Sequence, residues 1–257
     1  MPTENILEVA GLTKHFGGLV AVNEVDLVIR RGEIKVLIGP NGSGKSTIVN
    51  LLTRIYAPDA GRVVFDGEEI TSLARHLITK RGLARTFQNI RLFTSMTAAQ
   101  NVAIGQHTRT KAGFLGSLVG GPRTRAEEKR AKARAMQELE FCGIADRAAW
   151  RVGSLPYGQQ RLVEIARALA TEPRLLFLDE PAAGLNSQEK VVLGQLVRKI
   201  RDRGISVLLI EHDMDFVRSV GDSVVVLEAG KKIAEGTFEE VRRDPRVIEA
   251  YLGKGGH

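Results

Sequence analysis

The sequence has a single cysteine, few aromatic residues and no long apolar run. Cys142 is the one cysteine among 257 residues, and aromatic residues make up 5%. One thiol excludes an internal disulfide and any metal site that needs several cysteines. No stretch of about 18 apolar residues occurs, so the sequence predicts no membrane span. The segment from Met1 to Glu8 is acidic and lacks an apolar core, so we expect no signal peptide and a cytosolic location.

Acidic residues are outnumbered by basic ones, which gives a formal net charge of +7 at pH 7. Such a balance can attract nucleic acid or anionic lipid head groups. The basic residues are dispersed, however, and acidic residues interrupt the densest group, from Arg123 to Arg134. A solvated surface rich in Lys and Arg explains the charge equally well. We therefore predict no nucleic-acid partner.

Two kinds of apolar pattern indicate a mixed α/β chain. Alternating apolar and polar residues at 6–9 and 19–29 predict half-buried antiparallel strands. Continuous apolar runs at 175–178 and 207–210 predict strands buried on both faces, as in parallel sheets. Further predicted elements are strands at 33–38 and 61–67, a helix from Lys45 to about Ile55, and a hairpin formed by 223–227 and 231–234.

The middle of the chain, residues 71–150, is mainly helical in pattern. Thr124 and Glu127 have the spacing of a capping box, which would open a helix that runs to about Phe141. Residues 112–121 are rich in Gly, Ser and Leu and predict a surface loop. These patterns together predict an α/β core with a helical insertion.

A glycine-rich turn lies between a predicted buried strand and a predicted helix. It fits the phosphate-loop pattern Gly-x4-Gly-Lys-Ser/Thr, whose glycines let backbone N–H groups turn towards phosphate oxygens. Lys45 should reach the β- and γ-phosphates, and the Ser46 hydroxyl should bind Mg²⁺. The predicted nucleotide-binding residues of this loop are Gly39, Pro40, Asn41, Gly42, Ser43, Gly44, Lys45, Ser46 and Thr47.

Two acidic residues, Asp179 and Glu180, directly follow the apolar run 175–178. A carboxylate at the end of such a strand can hold Mg²⁺, and we assign that role to Asp179. Glu180 comes one residue later and should point in another direction as the chain leaves the strand. It is our candidate for the general base that activates the attacking water. Acidic residues also gather at helix N-termini, but the phosphate loop favours the catalytic interpretation.

One histidine, His212, follows the apolar run 207–210. Ligands collect at the carboxyl ends of parallel strands, so an imidazole there can contact the γ-phosphate. A histidine considered alone is more often structural. The order of the other motifs favours a catalytic role for His212, and we assign no role to the remaining histidines.

The ordered motifs, together with one further segment, resemble the ATP-binding subunits of ABC transporters. Residues 154–161 and the helix after them resemble the signature loop of that family. In the family this loop faces the ATP held by a second ATPase subunit. The resemblance therefore implies a dimer, of identical or different chains, that encloses two nucleotides. The residues implied to act in trans are Leu155, Pro156, Tyr157, Gly158 and Gln159.

The resemblance assigns three further roles. Gln88 matches the glutamine that touches Mg²⁺ and the attacking water, and residues 183–186 match a loop at the dimer contact. Phe16 occupies the aromatic position that stacks on adenine, although core packing is an alternative. With ATP and Mg²⁺ as ligands, the implied catalytic residues are Lys45, Gln88, Glu180 and His212, and the implied metal ligands are Ser46, Gln88 and Asp179.

The implied fold is a phosphate-loop NTPase core of the ABC ATPase type, with an antiparallel β subdomain and an inserted α-helical subdomain. We predict one domain over residues 1–253, followed by a tail at 254–257. Within it, 1–88 and 157–253 should form the catalytic core with the β subdomain. Residues 89–156 should form the helical signature subdomain with its insertion.

Two positions depart from the family pattern. Pro156 stands where the signature loop usually has serine, which removes a hydroxyl and a backbone N–H that would face the partner's γ-phosphate. We expect the composite site built with this loop to be weakened. Ser187 stands where proline is common, and we expect serine to serve there as a helix N-cap.

Three segments, 16–22, 86–93 and 247–253, resemble the larger ATPase subunit of branched-chain amino acid importers, as does the tyrosine of the signature loop. The resemblance implies a peripheral protein at the cytoplasmic face of the inner membrane. Its partners would be a second ATPase subunit, two membrane permease subunits and, indirectly, a periplasmic binding protein. Related importers carry amides, urea or aromatic compounds, so the cargo stays open.

Three alternatives belong to other classes. An ATPase of an exporter, for example of lipopolysaccharide, has a similar terminus, but the tyrosine in the signature loop argues against it. A soluble ABC-type ATPase acting on DNA or ribosomes usually has two motif sets or a long coiled coil, and this sequence has neither. A GTPase would carry an Asn-Lys-x-Asp motif, which does not occur.

Overall fold

The computed structural model describes residues 4–108 and 122–252. The predicted loop at 112–121 and the tail at 254–257 lie outside the described residues. The strands are β1 (Asn5–Phe16), β2 (Leu19–Arg30), β3 (Ile34–Ile38), β4 (Ala60–Phe65), β5 (Glu68–Glu69), β6 (Leu83–Arg85), β7 (Leu175–Asp179), β8 (Ser206–Ile210), β9 (Ser223–Glu228) and β10 (Lys231–Gly236).

The helices within the described residues connect these strands or cover the sheets. They are α1 (Lys45–Leu52), α2 (Arg75–Lys80), α3 (Ala98–Ile104), α4 (Pro122–Phe141), α5 (Tyr157–Leu169), α6 (Ser187–Asp202), α7 (Met214–Val220), α8 (Phe238–Val241) and α9 (Pro245–Leu252), with 3-10 turns at Gly105–Thr108, Ala145–Arg147 and Val152–Ser154. None of the helices within the described ranges is both long and apolar enough to cross a membrane.

The strands form two sheets. The first is antiparallel, with the order β2-β1-β4-β5. The second has the order β10-β9-β3-β8-β7-β6, in which only β10 runs antiparallel to its neighbour. This combination confirms the predicted fold class. The carboxyl ends of β3, β8, β7 and β6 lie at one edge of the second sheet, because these neighbouring strands are parallel.

The apolar strands of the second sheet are buried because each face contacts a different layer. Leu175 and Phe177 of β7 belong to a core shared with the antiparallel sheet and α1. Leu176 and Leu178 point the other way, into a core shared with α5 and α6. Side chains alternate between the two faces of a strand, so a continuous apolar run satisfies both cores.

Helices α3, α4 and α5 pack against one another on this second side. Their apolar residues are part of the same core as the sheet, so the helical segment is joined to it by continuous packing. Whether the predicted domain bounds at 89–156 describe a separate subdomain stays a prediction.

The structure corrects several predicted bounds. Helix α1 ends at Leu52 rather than near Ile55, because Arg54 adopts the left-handed region with φ +56°. Helix α4 begins at Pro122, so Thr124 lies inside it and the predicted capping box is wrong. Proline suits the first turn of a helix because its missing N–H would have no intrahelical acceptor there.

Strand lengths also differ from the predictions. The strand predicted at 6–9 extends to Phe16, because β1 pairs with β2 and β4 on its two sides. Strand β6 is not predicted at all. With only Leu83–Arg85, it is too short for a periodic pattern, and its pairing with β7 stabilises it.

Candidate functional site

The phosphate loop follows β3 and folds back against two other segments. Gly39 has φ +154°, and a Cβ there would lie 2.3 Å from the Leu227 carbonyl oxygen. Gly44 has φ +101°, and a Cβ there would lie 2.6 Å from the Ala21 carbonyl oxygen. A side chain fits at neither position. The two glycines thus allow the tight turn that the phosphate-loop pattern predicts.

Side chains of the loop point into it. Lys45 is 8% exposed, and its ammonium donates to the carbonyl oxygens of Gly39 at 2.7 Å and Pro40 at 3.0 Å. The Ser43 hydroxyl is buried and has no hydrogen-bond partner in the structure. Helix α1 begins at Lys45 without a side-chain cap, so its N-terminal N–H groups are not capped by a side chain. A cation, a hydroxyl and helix N–H groups around one loop fit a phosphate group.

Asp179 lies at the end of β7, 5% exposed, and its carboxylate faces a cation. Arg85, at the end of β6, donates through Nη2 to Asp179 Oδ2 at 2.7 Å. Its Nη1 donates to Asn50 Oδ1 of α1 at 2.7 Å. Arg85 was not predicted from the sequence, because its partner is a carboxylate 94 residues away.

The predicted metal ligands Ser46, Gln88 and Asp179 all offer oxygen atoms, as Mg²⁺ requires. Within residues 4–108 and 122–252, no group of three or more His, Cys, Asp or Glu could hold a metal ion. This is compatible with Mg²⁺, which is usually bound by one or two carboxylates together with substrate phosphates. The donor set therefore fits Mg²⁺ as the companion of a nucleotide.

Three predicted residues meet at one carboxylate oxygen. Gln88 Nε2 donates to Glu180 Oε2 at 2.8 Å, and His212 Nδ1 lies 3.7 Å from the same oxygen. Glu180 has φ +45°, and its N–H donates to the Ile210 carbonyl oxygen at 2.9 Å. A left-handed backbone is uncommon for glutamate, and such strain is typical of functional sites. Asp179 and Glu180 thus have separate partners, and their roles stay predictions.

Glu211 is a buried residue that sequence reasoning missed. Its Oε1 accepts from the Ala182 N–H at 2.9 Å, and its Oε2 accepts from the N–H groups of His212 at 3.1 Å and Asp213 at 3.5 Å. Burial raises the pKa of Glu211, while these backbone bonds oppose the shift. The side chain therefore joins the segment after Glu180 to the segment that carries His212.

Phe16 lies at the tip of the first sheet, where β1 ends. The residue is 41% exposed, and its ring contacts Tyr56 edge-on, with ring centroids 5.3 Å apart and an interplanar angle of 77°. The Lys14 ammonium lies 5.6 Å from the Phe16 ring centroid. Phe16 is therefore not a core residue, and the alternative of core packing is wrong. Its stacking on adenine stays a prediction, and Tyr56 is a second aromatic that the sequence did not indicate.

The signature segment opens α5. Pro156 is the N-cap, and Tyr157 is the first helical residue, 44% exposed. The Tyr157 ring lies against Gly184, where an added Cβ would be 3.2 Å from a ring carbon. Leu155 is buried, whereas Pro156 is exposed. The action of Leu155, Pro156, Tyr157, Gly158 and Gln159 on a partner's nucleotide stays a prediction.

Helix α6 follows the loop after Gly184 and is capped differently from the prediction. Asn186 is its N-cap: the Asn186 side chain accepts from the Glu189 N–H at 3.0 Å, and Glu189 Oε2 accepts from the Asn186 N–H at 2.9 Å. Ser187 is therefore the first helical residue, and its predicted role as N-cap is wrong. Asparagine is as good a cap as serine and lies one residue earlier.

Fold and site define a nucleotide-binding cassette with a phosphate loop, an acidic strand end and a second carboxylate that lies beside a glutamine and a histidine. Comparison with protein families agrees. The family described as ABC transporter matches residues 22–183, and the family described as branched-chain amino acid ATP-binding cassette transporter matches residues 231–257.

Similar proteins cover almost the whole chain. The chain is 48% identical over 250 residues to the high-affinity branched-chain amino acid transport ATP-binding protein BraF of Pseudomonas aeruginosa, with 97% of this chain and 98% of that protein covered. It is 42% identical over 253 residues to LivG of Escherichia coli, which has the same description, with 98% and 99% covered. A solved ATP-binding cassette of an ABC transporter in its ADP conformation is also similar, with a TM-score of 0.86, 34% identity and 98% and 100% covered. The chain therefore belongs to the ABC transporter family, in the group of ATP-binding proteins of branched-chain amino acid transporters.

Proposed function

We propose that this chain hydrolyses ATP with Glu180 as general base and drives the import of branched-chain amino acids or related small molecules. The observation that carries the catalytic part is the convergence of Gln88 and His212 on Glu180 Oε2, at 2.8 and 3.7 Å. An amide and an imidazole beside one carboxylate oxygen can orient a water and stabilise charge next to it. The family membership supports the ATPase activity.

Binding of the triphosphate uses the loop after β3. The N–H groups at the start of α1 and the Lys45 ammonium would hold the β- and γ-phosphates. Ser46, Asp179 and Gln88 would hold Mg²⁺, which neutralises phosphate charge when bound. The exposed face of Phe16 would take the adenine ring.

Hydrolysis then needs a base, an orienting group and a charge-stabilising group. Glu180 accepts a proton from the water that attacks the γ-phosphate in line. Gln88 would orient the carboxylate and the water, and His212 would stabilise the charge that develops on the phosphate oxygens. We assign Asp179 to Mg²⁺ rather than to the base, because the Gln88 amide and the His212 imidazole both lie beside Glu180.

The second half of each nucleotide site would come from another subunit. Pro156 and Tyr157 are exposed at the N-terminus of α5, where the helix dipole favours a phosphate group. Two ATPase subunits, identical or different, would close on two nucleotides. Their closure would switch the access of two membrane permease subunits, supplied by a periplasmic binding protein, at the cytoplasmic face of the membrane.

The cargo follows from the relatives rather than from any contact of this chain. BraF and LivG are described as high-affinity branched-chain amino acid transport proteins. Uptake of leucine, isoleucine and valine into vesicles that contain the assembled transporter tests this part. Uptake of an amide, urea or an aromatic compound in place of these amino acids would contradict branched-chain amino acids as the cargo and leave the related small molecules.

Substitution Glu180→Gln tests the catalytic part, because glutamine keeps the shape of the side chain but cannot accept the proton. We expect ATP hydrolysis to fall about 10²- to 10⁴-fold, the usual contribution of a general base. Binding of ATP should persist and can be measured by equilibrium dialysis. Glu140→Gln, at an exposed position of α4, is the matched control and should leave the rate unchanged. Normal turnover in Glu180→Gln would refute Glu180 as the base.

A further inference from the structure

Helix α5 carries an arginine whose side chain is completely buried. Arg161 is 0% exposed, and its guanidinium reaches the loop that carries Gln88. Nη1 donates to the Phe87 carbonyl oxygen at 2.9 Å, and Nη2 donates to the Gln88 carbonyl oxygen at 3.0 Å. The planar guanidinium thus holds two consecutive carbonyl groups, which a lysine ammonium cannot match in geometry.

A buried carboxylate neutralises this arginine. Glu164, one turn along α5 and 1% exposed, accepts from Arg161 Nη1 through Oε2 at 2.7 Å. Its Oε1 faces the backbone N–H groups of Phe87 and Arg91, each at 3.5 Å. Burial raises the pKa of Glu164, and Arg161 opposes that shift. Arg161 therefore binds carbonyl groups of the Gln88 loop, and Glu164 binds N–H groups of the same loop.

The same guanidinium also touches the signature loop. Arg161 Nη2 donates to the Tyr157 hydroxyl at 3.0 Å, and the Tyr157 ring lies against Gly184. Arg161 thus connects the Gln88 loop to Tyr157, and Tyr157 in turn contacts the loop before α6.

Stability alone does not account for a buried pair of this kind. Replacing a buried ion pair by apolar residues of similar volume is often neutral or stabilising. The pair fixes the position of Gln88. Arg161 donates to the Gln88 carbonyl oxygen, and the Gln88 side chain donates to Glu180 at 2.8 Å.

We propose that Arg161, neutralised by Glu164, is a positioning residue that holds the backbone of Gln88 so that its amide reaches the Glu180 carboxylate. This proposal rests on the proposed function, in which Gln88 and Glu180 act on the attacking water. Because Arg161 also contacts Tyr157, the position of Gln88 depends on the same helix whose N-terminus would face the partner's nucleotide.

The test is a double-mutant cycle between positions 161 and 88 in the full chain within its assembled transporter. Arg161→Met combined with Glu164→Leu replaces the pair by apolar side chains. We expect the affinity for ATP to stay within about twofold and kcat to fall about 10- to 100-fold, as a misplaced catalytic group does. In a Gln88→Ala background, the same replacement should lower kcat no further, because Arg161 acts through Gln88.

Arg161→Lys separates charge from geometry. It keeps the positive charge beside Glu164 but cannot hold both carbonyl groups, so we expect kcat to lie between the parent and the apolar pair. Arg203→Met is the matched control. It removes an arginine from another buried carboxylate, Glu138, at 2.6 Å, and should lower thermal stability while leaving kcat unchanged.

Each outcome decides a different point. An unchanged kcat in folded Arg161 variants overturns the proposal, and so does an equal loss of kcat with and without Gln88. Failure of every Arg161 variant to fold overturns it as well, because the side chain is then structural. If Gln88→Ala itself keeps the parent's kcat, the role of Gln88 in the proposed function fails instead.

Discussion

The substitution Glu211→Gln is a sharp test of how the site is held together. Glu211 is fully buried and accepts from the Ala182 N–H on one oxygen and from the His212 N–H on the other. Glutamine has nearly the same volume, but only one side of its amide can accept. Its NH₂ group must therefore face a backbone N–H, whichever way the amide is turned.

The expected magnitude follows from the contacts. Losing one hydrogen bond to a charged group costs about 1.5–3 kcal/mol of folding free energy. Glu211→Leu would leave the N–H groups of Ala182 and His212 without an acceptor, at about 1–3 kcal/mol each. Removing a buried charge acts in the opposite direction, since burial raises the pKa of Glu211. We expect the hydrogen bonds to dominate, with stability decreasing from the parent to the Gln variant and then to the Leu variant.

Urea unfolding followed by circular dichroism measures this order, with Glu140→Gln on the surface of α4 as the control. ATP hydrolysis by the folded Gln variant should also decrease, because Glu211 bonds the segments next to Glu180 and His212. A Gln variant as stable as the parent, or more stable, would refute the reasoning. It would show that the cost of burying the Glu211 charge is larger than the stabilisation from the hydrogen bonds that Glu211 accepts.

Three further predictions concern other parts of the chain. Arg85→Met leaves the buried Asp179 carboxylate without its cation, so the free energy of unfolding should fall by about 3–5 kcal/mol. Mg²⁺ with ATP should restore part of this stability in a thermal melt. A melting temperature equal to that of the parent would contradict this. Burial raises the pKa of the Cys142 thiol, so a disulfide reagent should react with it only after unfolding, and rapid reaction of the native protein contradicts this. Pro156→Ser should raise ATP turnover in the assembled transporter, because it restores a hydroxyl and an N–H, and an unchanged rate contradicts a weakened site.

The chemistry-bearing motifs could be predicted because each has a local signal. The phosphate loop follows a buried strand, and Asp179, Glu180 and His212 each follow an apolar run. The parallel order of β3, β8 and β7 then places the ends of these strands side by side. A pattern of a few residues and one rule of sheet topology are enough for this part of the site.

The residues that hold the site in place could not be predicted in the same way. Arg161 and Glu164 stand three apart on α5, a spacing that an exposed ion pair on a helix also shows. Their burial depends on backbone groups of Phe87 and Gln88, more than 70 residues away. A usable signal is the apolar neighbourhood of the pair, because Glu164 stands within the mostly apolar run 162–166 and Arg161 directly precedes that run.

Glu164 and Glu211 each accept hydrogen bonds from backbone N–H groups of a loop at the end of a strand. The chain leaves the edge of the sheet at both places, so its N–H groups can no longer pair with a neighbouring strand. Each carboxylate accepts from two or more of these groups. Each loop also carries a side chain that lies beside Glu180 Oε2. Both buried carboxylates therefore satisfy backbone N–H groups, and the Arg161–Glu164 pair in addition bonds the Gln88 carbonyl group. It follows that Gln88 and His212 are held independently, so variants of Glu164 and Glu211 should have additive effects on the free energy of unfolding.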